Sequence, residues 1–283
     1  MDRIQEILAK AKLMGHTCEP TMTPEEWEKF KADDYNKMPG TLNESDGYEC
    51  PICLNKGDIM KAVQNDRGWW THISAECKCM AIRRTIRRMK RSGLKNIISD
   101  YTFGKFEATE PWQQTIKEAA QEYAKHPEGW FFIGGQSGAG KSHICTAICR
   151  EFLLEGRSVK YMLWRDDVVQ LKGAVTDAEQ YTSLMDQYKK VDILYIDDLF
   201  KTGKAPDGSK QQPTAADVNA AFEILNFRYN DPKKLTIISS ECTIDDILEI
   251  DEAVGGRIFE RAKAFSLKPD KRRNYRLRGA TEL

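Results

Sequence analysis

The sequence predicts an α/β fold in which helices pack against a parallel sheet of five strands. Over roughly the last two thirds of the chain, helical stretches alternate with five short apolar runs: WFFIGG, VKYMLW, VDILYIDD, LTIISS and KAFSL. Apolar runs bounded by helices are typical of strands that a parallel sheet buries on both faces. The first run also leads into a glycine-rich loop, and the third ends in two aspartates.

Length and composition are those of a globular protein. A chain of 283 residues can form one large domain or two smaller ones. Its 43 basic and 43 acidic residues cancel, so any affinity for a charged partner must come from local clusters. No apolar run approaches the roughly 18 to 20 residues of a membrane span, and the charged start lacks the core of a signal peptide. We therefore expect a cytoplasmic protein without a membrane partner, whose eight cysteines are free thiols or metal ligands.

The first forty residues predict two short helices. The second is signalled by TPEEWEKFKADDY, because Thr23 can cap a helix, Pro24 suits its first position, and Glu26 completes a capping box. A turn-rich stretch follows this helix.

Four cysteines then occur as two closely spaced pairs. Cys50 and Cys53 are separated by two residues, whereas Cys77 and Cys79 are separated by one. Each pair can place two thiolates on one ion, and tetrahedral Zn²⁺ takes four. We expect zinc here, contributing on the order of 10 kcal/mol to folding a segment with almost no core of its own. Two unrelated buried pairs are the alternative, and His72 is expected to be a bystander.

The segment CKCMAIRRTIRRMKR predicts a basic helix with one apolar stripe formed by Ile82, Ile86 and Met89. The other positions are strongly basic: Arg83, Arg84, Arg87, Arg88, Lys90 and Arg91. No acidic residue occurs between Cys77 and Ser99. We expect these cations to face DNA phosphates or an acidic protein surface, with a merely solvated helix face as the alternative.

The sequence pattern changes around Asp100. We predict a zinc-binding α+β domain over residues 1–98 and the α/β domain over residues 99–283. Within the second domain, KTGKAPDGSKQQPT predicts a long polar loop after the third apolar run.

The glycine-rich loop is a complete phosphate-loop pattern between a strand and a helix. Its glycines allow backbone N–H groups to turn toward an anion, and the helix N-terminus adds partial positive charge. Lys141 is expected to reach the β- and γ-phosphates of ATP, and Ser142 to bind Mg²⁺. The residues expected to bind the nucleotide are Gly135, Gln136, Ser137, Gly138, Ala139, Gly140, Lys141, Ser142 and His143. On the helix that follows, Cys145 and Cys149 are expected to be buried core thiols.

The aspartates at the end of VDILYIDDL resemble the Walker B element of ATPases. Asp197 is expected to hold Mg²⁺ through water. Asp198 occupies the position where hydrolysing ATPases usually carry a glutamate that polarises the attacking water, so slow hydrolysis is expected. Helix capping by the two aspartates is the alternative.

Taken in order, GGQSGAGKSH, LYIDDLFK, FEILNFRYNDPKKLTIISSE and GGRIFERAKAF resemble the AAA+ ATPases of the DnaC/DnaI-like replicative helicase loaders, particularly phage and prophage relatives. The resemblance covers residues 95–283 approximately. It implies an AAA+ P-loop domain with a γ-phosphate sensor at Ser239, Ser240 and Glu241. It also implies an amino-terminal zinc module that grips the helicase.

In such proteins GRIFER resembles the element that presents an arginine finger to a neighbouring subunit's ATP, with Arg257 and Arg261 as candidates. The residues after Arg261 suffice for a closing strand and a basic tail, but not for the full helical lid of most AAA+ modules. The tail from Lys268 to Arg278 is a second basic cluster, in which Tyr275 is available for base stacking.

The predicted function is ATP-dependent loading of a DnaB-type hexameric helicase onto single-stranded DNA when replication starts. Nucleotide-dependent self-association and slow, assembly-dependent ATP hydrolysis accompany this prediction. The alternatives are a transposition helper ATPase, which acts with a transposase on duplex DNA, and a zinc-organised DNA-binding scaffold with a structural nucleotide site. A small-molecule kinase would leave the cysteine pairs unexplained.

Overall fold

The structure is a computed structural model that describes residues 22–203, 211–268, 270 and 274–275. Backbone contacts divide the chain into a first unit, Met1–Ser45 with Glu49–Met80, and a second unit, Asp46–Tyr48 with Ala81–Leu283. This division precedes the predicted boundary between residues 98 and 99, and the assignment of separate functions to the two parts stays a prediction. The first predicted helix lies outside the described residues. In the described part of the chain, no helix is long and apolar enough to cross a bilayer.

The first unit is a helix packed on a β-hairpin. Its elements are α1 (Pro24–Lys37), α2 (Leu42–Asp46), β1 (Asp58–Gln64) and β2 (Trp70–Glu76). The predicted capping box is present, because Thr23 Oγ1 accepts a hydrogen bond from Glu26 N and the Glu26 carboxylate accepts one from Thr23 N. β1 and β2 pair antiparallel, and Tyr35 on α1 donates to Asp58 on β1. Among the described residues of this unit, the buried apolar side chains are Ala32 and the four paired cysteines.

The second unit contains the predicted α/β fold. Its elements are α3 (Cys79–Arg91, which begins in the first unit), α4 (Ile97–Asp100), α5 (Pro111–Lys125), β3 (Trp130–Gly135), α6 (Lys141–Leu154), β4 (Val159–Leu163), α7 (Trp164–Gly173), α8 (Ala178–Lys189), β5 (Ile193–Leu199), α9 (Ala215–Tyr229), β6 (Leu235–Ser240), α10 (Ile244–Ile250), α11 (Glu252–Arg261) and β7 (Ala262–Leu267). The five predicted strands are confirmed and form one parallel sheet in the order β4-β5-β6-β3-β7.

Helices on both faces bury the sheet. Every residue of β3 and β6 is buried, which explains why these runs lack polar alternation. Cys145 and Cys149 on α6 are fully buried, as predicted. Because the strands are parallel, the carboxyl ends of β3, β5 and β6 meet at one edge, where the chain enters the phosphate loop and carries its aspartates.

A fully buried arginine, Arg228 on α9, ties together the opposite end of the sheet. Its guanidinium donates to the carbonyls of Val191 at 2.7 Å and Leu235 at 2.6 Å, and to Thr236 Oγ1 at 2.9 Å. Burial lowers its pKa to about 10. The backbone carbonyls that precede β5 and begin β6 are thereby satisfied without water.

The predicted basic helix is α3, and Ile82, Ile86 and Met89 are buried as its stripe predicts. The expectation that Arg83 faces a partner is wrong, since this side chain is 1% exposed. Its guanidinium lies 2.5 Å from the Asp46 carboxylate and also donates to the Tyr48 carbonyl. A buried arginine requires such acceptors, and sequence spacing does not show where they come from.

Candidate functional site

The phosphate loop joins the end of β3 to the start of α6. Gly138 and Gly140 adopt φ angles of +79° and +83°, which disfavour residues with a side chain. A Cβ atom at Gly140 would also lie 2.8 Å from Phe106 Cε2. Lys141 Nζ is folded back onto the loop and donates to the Gln136 carbonyl at 2.7 Å. Burial lowers the pKa of Lys141, although the charges of Asp198 and Glu241 act to raise it.

Asp197, at the end of β5, accepts hydrogen bonds from four hydroxyl groups. Oδ1 accepts from Ser142 at 3.1 Å, from Tyr195 at 2.8 Å and from Ser239 at 2.5 Å. Oδ2 accepts from Tyr161 at 2.9 Å. Burial and the charge of Asp197 raise the pKa of both tyrosines, so both remain protonated donors. The structure therefore brings the two predicted Mg²⁺ ligands, Ser142 and Asp197, into direct contact.

Asp198 lies on an irregular turn of the same strand. The pairing of β5 with β6 shifts register between Ile196 and Leu199, and Asp198 adopts φ +59°. A side-chain-bearing residue in the left-handed region is strained, and such strain concentrates at functional sites. The bulge brings Asp198 Oδ2 to 2.7 Å from Lys201 Nζ, which also lies 3.2 Å from Glu241 Oε1. Burial opposes the charge on Lys201, but the two carboxylates outweigh it and raise its pKa.

These groups line one cavity of about 670 Å³, which is in the usual size range of ligand pockets. One wall consists of the phosphate loop with the charged residues Asp197, Asp198, Lys201 and Glu241. The segment between α4 and α5 forms the other wall, with Tyr101 and Phe106. Polyphosphate ligands suit the first wall, and an apolar ring suits the second.

His143 lies between the two aromatic residues of that second wall. Its ring centroid is 5.3 Å from Tyr101 and 5.5 Å from Phe106, and Nε2 is 3.0 Å from the Thr102 carbonyl. Burial lowers the pKa of His143, which favours the neutral ring. His143 is therefore a half-buried residue of the cavity wall, placed where it can support a bound nucleotide through its neighbours.

The chain beyond β7 also reaches this cavity. Tyr275 N donates to the Gly138 carbonyl at 2.8 Å, and the Tyr275 hydroxyl donates to Glu107 at 3.0 Å. Gln136 exchanges two hydrogen bonds with the Asp270 backbone. Tyr275 thus lines the nucleotide cavity. Most of the predicted basic tail, including Arg278, lies outside the described residues.

Several predicted site residues are not among the described residues that line this cavity: Gly135, Gln136, Ser239, Ser240, Arg257 and Arg261. Ser240 is fully buried, and its hydroxyl donates to the Leu199 carbonyl at 2.6 Å. Arg257 donates to Asn226 at 3.0 Å and stacks on the Phe222 ring. Arg261 lies over the Tyr229 ring, with its centroid 5.9 Å from the guanidinium carbon. The structure brings Ser239, rather than Ser240, to Asp197.

The four paired cysteines form the second candidate site. All four are buried, and their Sγ atoms lie within 4.8 Å of one another. Cys50 and Cys77 are 3.8 Å apart and Cys53 and Cys79 are 3.5 Å apart. Tetrahedral zinc with Zn–S bonds near 2.3 Å requires sulfur separations of about 3.8 Å, so the thiols fit this ion. His72 is exposed and hydrogen-bonds to Glu28, as expected of a bystander.

The pKa values of two of these thiols shift in opposite directions. Burial acts to raise the pKa of Cys53, but the Gly57 N–H at 3.3 Å and the neighbouring thiols outweigh it and lower the pKa to about 7. Burial raises the pKa of Cys77. A bound dication would favour the thiolate form of every ligand.

Sequence reasoning missed several residues that line the nucleotide cavity or contact its lining residues. Lys201 and Tyr161 carry no motif signal, because their roles depend on contacts with Asp198 and Asp197 made only in the folded chain. Phe106 precedes the recognised motifs and contacts the phosphate loop across the sheet edge. The resemblance implies a sensor role for the glutamate that follows TIISS, and Glu241 does line the cavity.

A family model described as IstB-like ATP binding protein matches residues 71–270. The phage-like element PBSX protein XkdC of Bacillus subtilis is 31% identical over 224 residues, which cover 75% of this chain and 79% of that protein. The replicative helicase loader DnaC of Escherichia coli is 28% identical over 152 residues, covering 50% of this chain and 60% of DnaC. A crystal structure of the DnaC helicase loader has the same fold, with a TM-score of 0.50 and 16% identity over 61% of this chain and 98% of that one.

Proposed function

Because the chain belongs to the family of IstB-like ATP binding proteins, which are AAA+ ATPases, we propose that it is an ATP-dependent loader of a DnaB-type replicative helicase onto single-stranded DNA. It would act in the bacterial cytoplasm, as a phage or prophage product, when replication starts. The relative named XkdC belongs to a phage-like element, and the relative named DnaC is a replicative helicase loader.

The nucleotide cavity is the observation that carries this proposal. The phosphate loop, Lys141 and the carboxylate of Asp197 face one space large enough for ATP. Ser142 and Asp197 would hold Mg²⁺, which neutralises phosphate charge. Lys141 would leave the Gln136 carbonyl for the β- and γ-phosphates. This exchange replaces a neutral acceptor of its ammonium group with charged ones.

Hydrolysis would be slow in a single chain. Asp198 is the carboxylate expected to polarise the attacking water, and it forms an ion pair with Lys201. The candidate fingers Arg257 and Arg261 do not line their own chain's cavity, so an arginine supplied in trans requires a second copy. Both arginines belong to α11, on which Phe259 is 66% exposed. These features support nucleotide-dependent self-association.

The cysteine cluster supports the second half of the proposal. The thiolates of Cys50, Cys53, Cys77 and Cys79 would hold Zn²⁺. The ion would supply a tetrahedral cross-link between the segment that precedes β1 and the segment that follows β2. The first unit would then be a rigid module that binds the helicase. Its exposed apolar residues, among them Trp69 at 72% exposure, are available for such contact.

A transposition helper ATPase is the second candidate function, since the matching family model is described as IstB-like. The similarity to a helicase loader over half of this chain favours the first candidate. The third candidate is a zinc-organised DNA-binding scaffold. Its nucleotide would be structural, so binding and release of nucleotide at Lys141 would not be needed.

The test is co-purification of the full chain with the replicative helicase of its host, or with a transposase, with and without ATP. We expect helicase binding by the full chain and its loss from a shortened chain that starts at Ala81, carries Arg83→Met in place of the arginine whose acceptors are removed, and still binds nucleotide. Binding to the transposase alone would establish the helper function. Co-purification that is the same with and without ATP, and the same in Lys141→Ala as in the unmodified chain, would establish the scaffold.

A further inference from the structure

The basic helix α3 lies along the edge of the sheet. β4 is the terminal strand and pairs only with β5 among the described strands. Thr85 on α3 donates to the Val159 carbonyl at 2.5 Å, and Arg88 Nε donates to the Tyr161 carbonyl at 3.2 Å. Side chains of the helix therefore supply partners for the open edge of the strand, which fixes α3 against it.

A basic groove follows this junction. Two adjoining cavities of about 410 and 590 Å³ share Arg84, Arg88 and Tyr161 in their walls. We call them the arginine groove, and its cations are Arg84, Arg87, Arg88, Arg91, Arg157, Lys160 and Lys190. The acidic residues in the same walls are Asp166 and Asp192. Among the residues of the two walls, positive charge thus exceeds negative charge by five groups, although the whole chain is neutral. Three of these cations also have acidic partners outside the walls, because Arg88, Arg157 and Lys190 pair with Asp167, Glu155 and Asp186.

The lining of the groove favours phosphates over an acidic protein. None of the large exposed apolar residues among the described ones belongs to either wall. Protein interfaces depend on buried aromatic and apolar anchors, which this groove lacks. Guanidinium groups instead match the geometry of phosphate oxygens and bind them in pairs. Arg87 and Arg91 lie four residues apart on α3, on one face of the helix, and both are exposed.

The groove is hydrogen-bonded to the nucleotide site. Ser92 and Leu163 line both the arginine groove and the nucleotide cavity. The Ser92 hydroxyl, just past the end of α3, shares its proton between the Met89 carbonyl at 2.7 Å and the Tyr161 hydroxyl at 3.0 Å. Tyr161 in turn donates to Asp197 Oδ2 at 2.9 Å. A displacement of the end of α3 therefore changes the hydrogen bonding of the carboxylate that faces the nucleotide.

We propose that the arginine groove binds the phosphodiester backbone of single-stranded DNA, and that Tyr161 couples this binding to the nucleotide site through Asp197. The inference rests on the proposed function for its ligand, and it adds the location of that ligand and the route of coupling. A phosphate at the groove competes with Asp167 for Arg88 and so shifts the last turn of α3. Coupling of this kind is reciprocal, so nucleotide changes DNA affinity by the same factor as DNA changes nucleotide affinity.

The site is tested with a fluorescently labelled oligothymidylate and the full chain carrying Arg87→Ala and Arg91→Ala. Each phosphate contact on a single strand contributes about 0.7 to the salt slope, so we expect a slope shallower by about 1.4 and affinity about tenfold to thirtyfold weaker at 0.1 M salt. The matched control is Arg67→Ala with Lys125→Ala, which removes the same charge at exposed positions elsewhere and should bind normally. Unchanged DNA affinity in the groove variant overturns the site. If DNA affinity is unchanged and helicase binding is lost in that variant, the groove is a protein-docking surface instead.

The coupling is tested with Tyr161→Phe, which keeps the ring and removes its hydroxyl. The readout is the affinity for a fluorescent ATP analogue with Mg²⁺, measured with and without the oligonucleotide. We expect DNA to change the analogue affinity of the unmodified chain severalfold and to leave that of Tyr161→Phe the same, so the readout is the ratio of the two affinities within each protein. An equal effect in both proteins, or none in the unmodified chain, refutes the coupling. Failure of helicase loading while the oligonucleotide still binds at the groove would contradict only the proposed function.

Discussion

The cysteine cluster provides the sharpest prediction, because the first unit has little else to hold it together. Replacing Cys77 by Ala removes one of the four thiolates at a position that is 1% exposed. We expect the variant to lose zinc and the β-hairpin to unfold, while the second unit remains folded.

The size of the effect follows from the burial pattern. Outside the cysteines, Ala32 is the buried apolar side chain among the described residues of the first unit. β1 and β2 contain seven residues each, and ordering their backbones costs roughly 14 to 28 kcal/mol at about 1 to 2 kcal/mol per residue. Structural zinc contributes about 10 to 16 kcal/mol in small cysteine-rich modules. The metal is therefore the largest single stabilising contribution available to the hairpin.

The assay combines zinc content by mass spectrometry with amide hydrogen exchange over Asp58–Gln64 and Trp70–Glu76. Cys149→Ala is the matched control, because it removes an equally buried thiol from α6 in the second unit. The control should keep zinc and hairpin protection, and a chelator should reproduce the Cys77→Ala result in the unmodified chain. Hairpin protection that survives both Cys77→Ala and chelation would refute this reasoning.

Four further predictions concern the second unit. Lys141→Ala should lower ATP affinity at least about a hundredfold by calorimetry, since it removes the ammonium group that reaches the phosphates, and Lys125→Ala should not. Lys201→Met should raise basal phosphate release severalfold by freeing Asp198, whereas a decrease would assign Lys201 to phosphate binding instead. Arg228→Met should cost about 3 to 5 kcal/mol in urea unfolding, because several buried carbonyls lose their donor. Because burial lowers the folded-state pKa of His143 from 6.5, stability should fall as the pH drops through 6.5, and His143→Gln should reduce that dependence.

The sequence was sufficient to predict features that depend on local pattern. The five apolar runs, the capping box at Thr23 and the stripe of α3 all follow from residue order alone, and each is present in the structure. The sequence also predicted that the four cysteines lie together, because the spacing of metal ligands within each pair is a local property. The phosphate loop was recognised for the same reason.

Features that depend on distant contacts could not be predicted. Arg83 was expected on the charged face of α3, but its acceptors lie 35 and 37 residues earlier in the chain. Lys201 follows Asp198 closely, yet their ion pair depends on the left-handed backbone at Asp198. Tyr275 stays predicted to be available for DNA bases, but its backbone contact with Gly138, which brings it to the nucleotide cavity, left no signal in the sequence.

The packing of α3 against β4 decides how this protein can be divided for experiment. A fragment cut at the predicted boundary, starting at residue 99, would lose the helix that covers the outer backbone of the terminal strand. Uncovered strand edges recruit strands from other molecules, so this fragment should aggregate or dimerise by edge-to-edge pairing. A fragment that begins at Ala81 keeps the cover and should stay monomeric without nucleotide, but it lacks Asp46 and Tyr48, the acceptors of the buried Arg83, and should therefore also carry Arg83→Met.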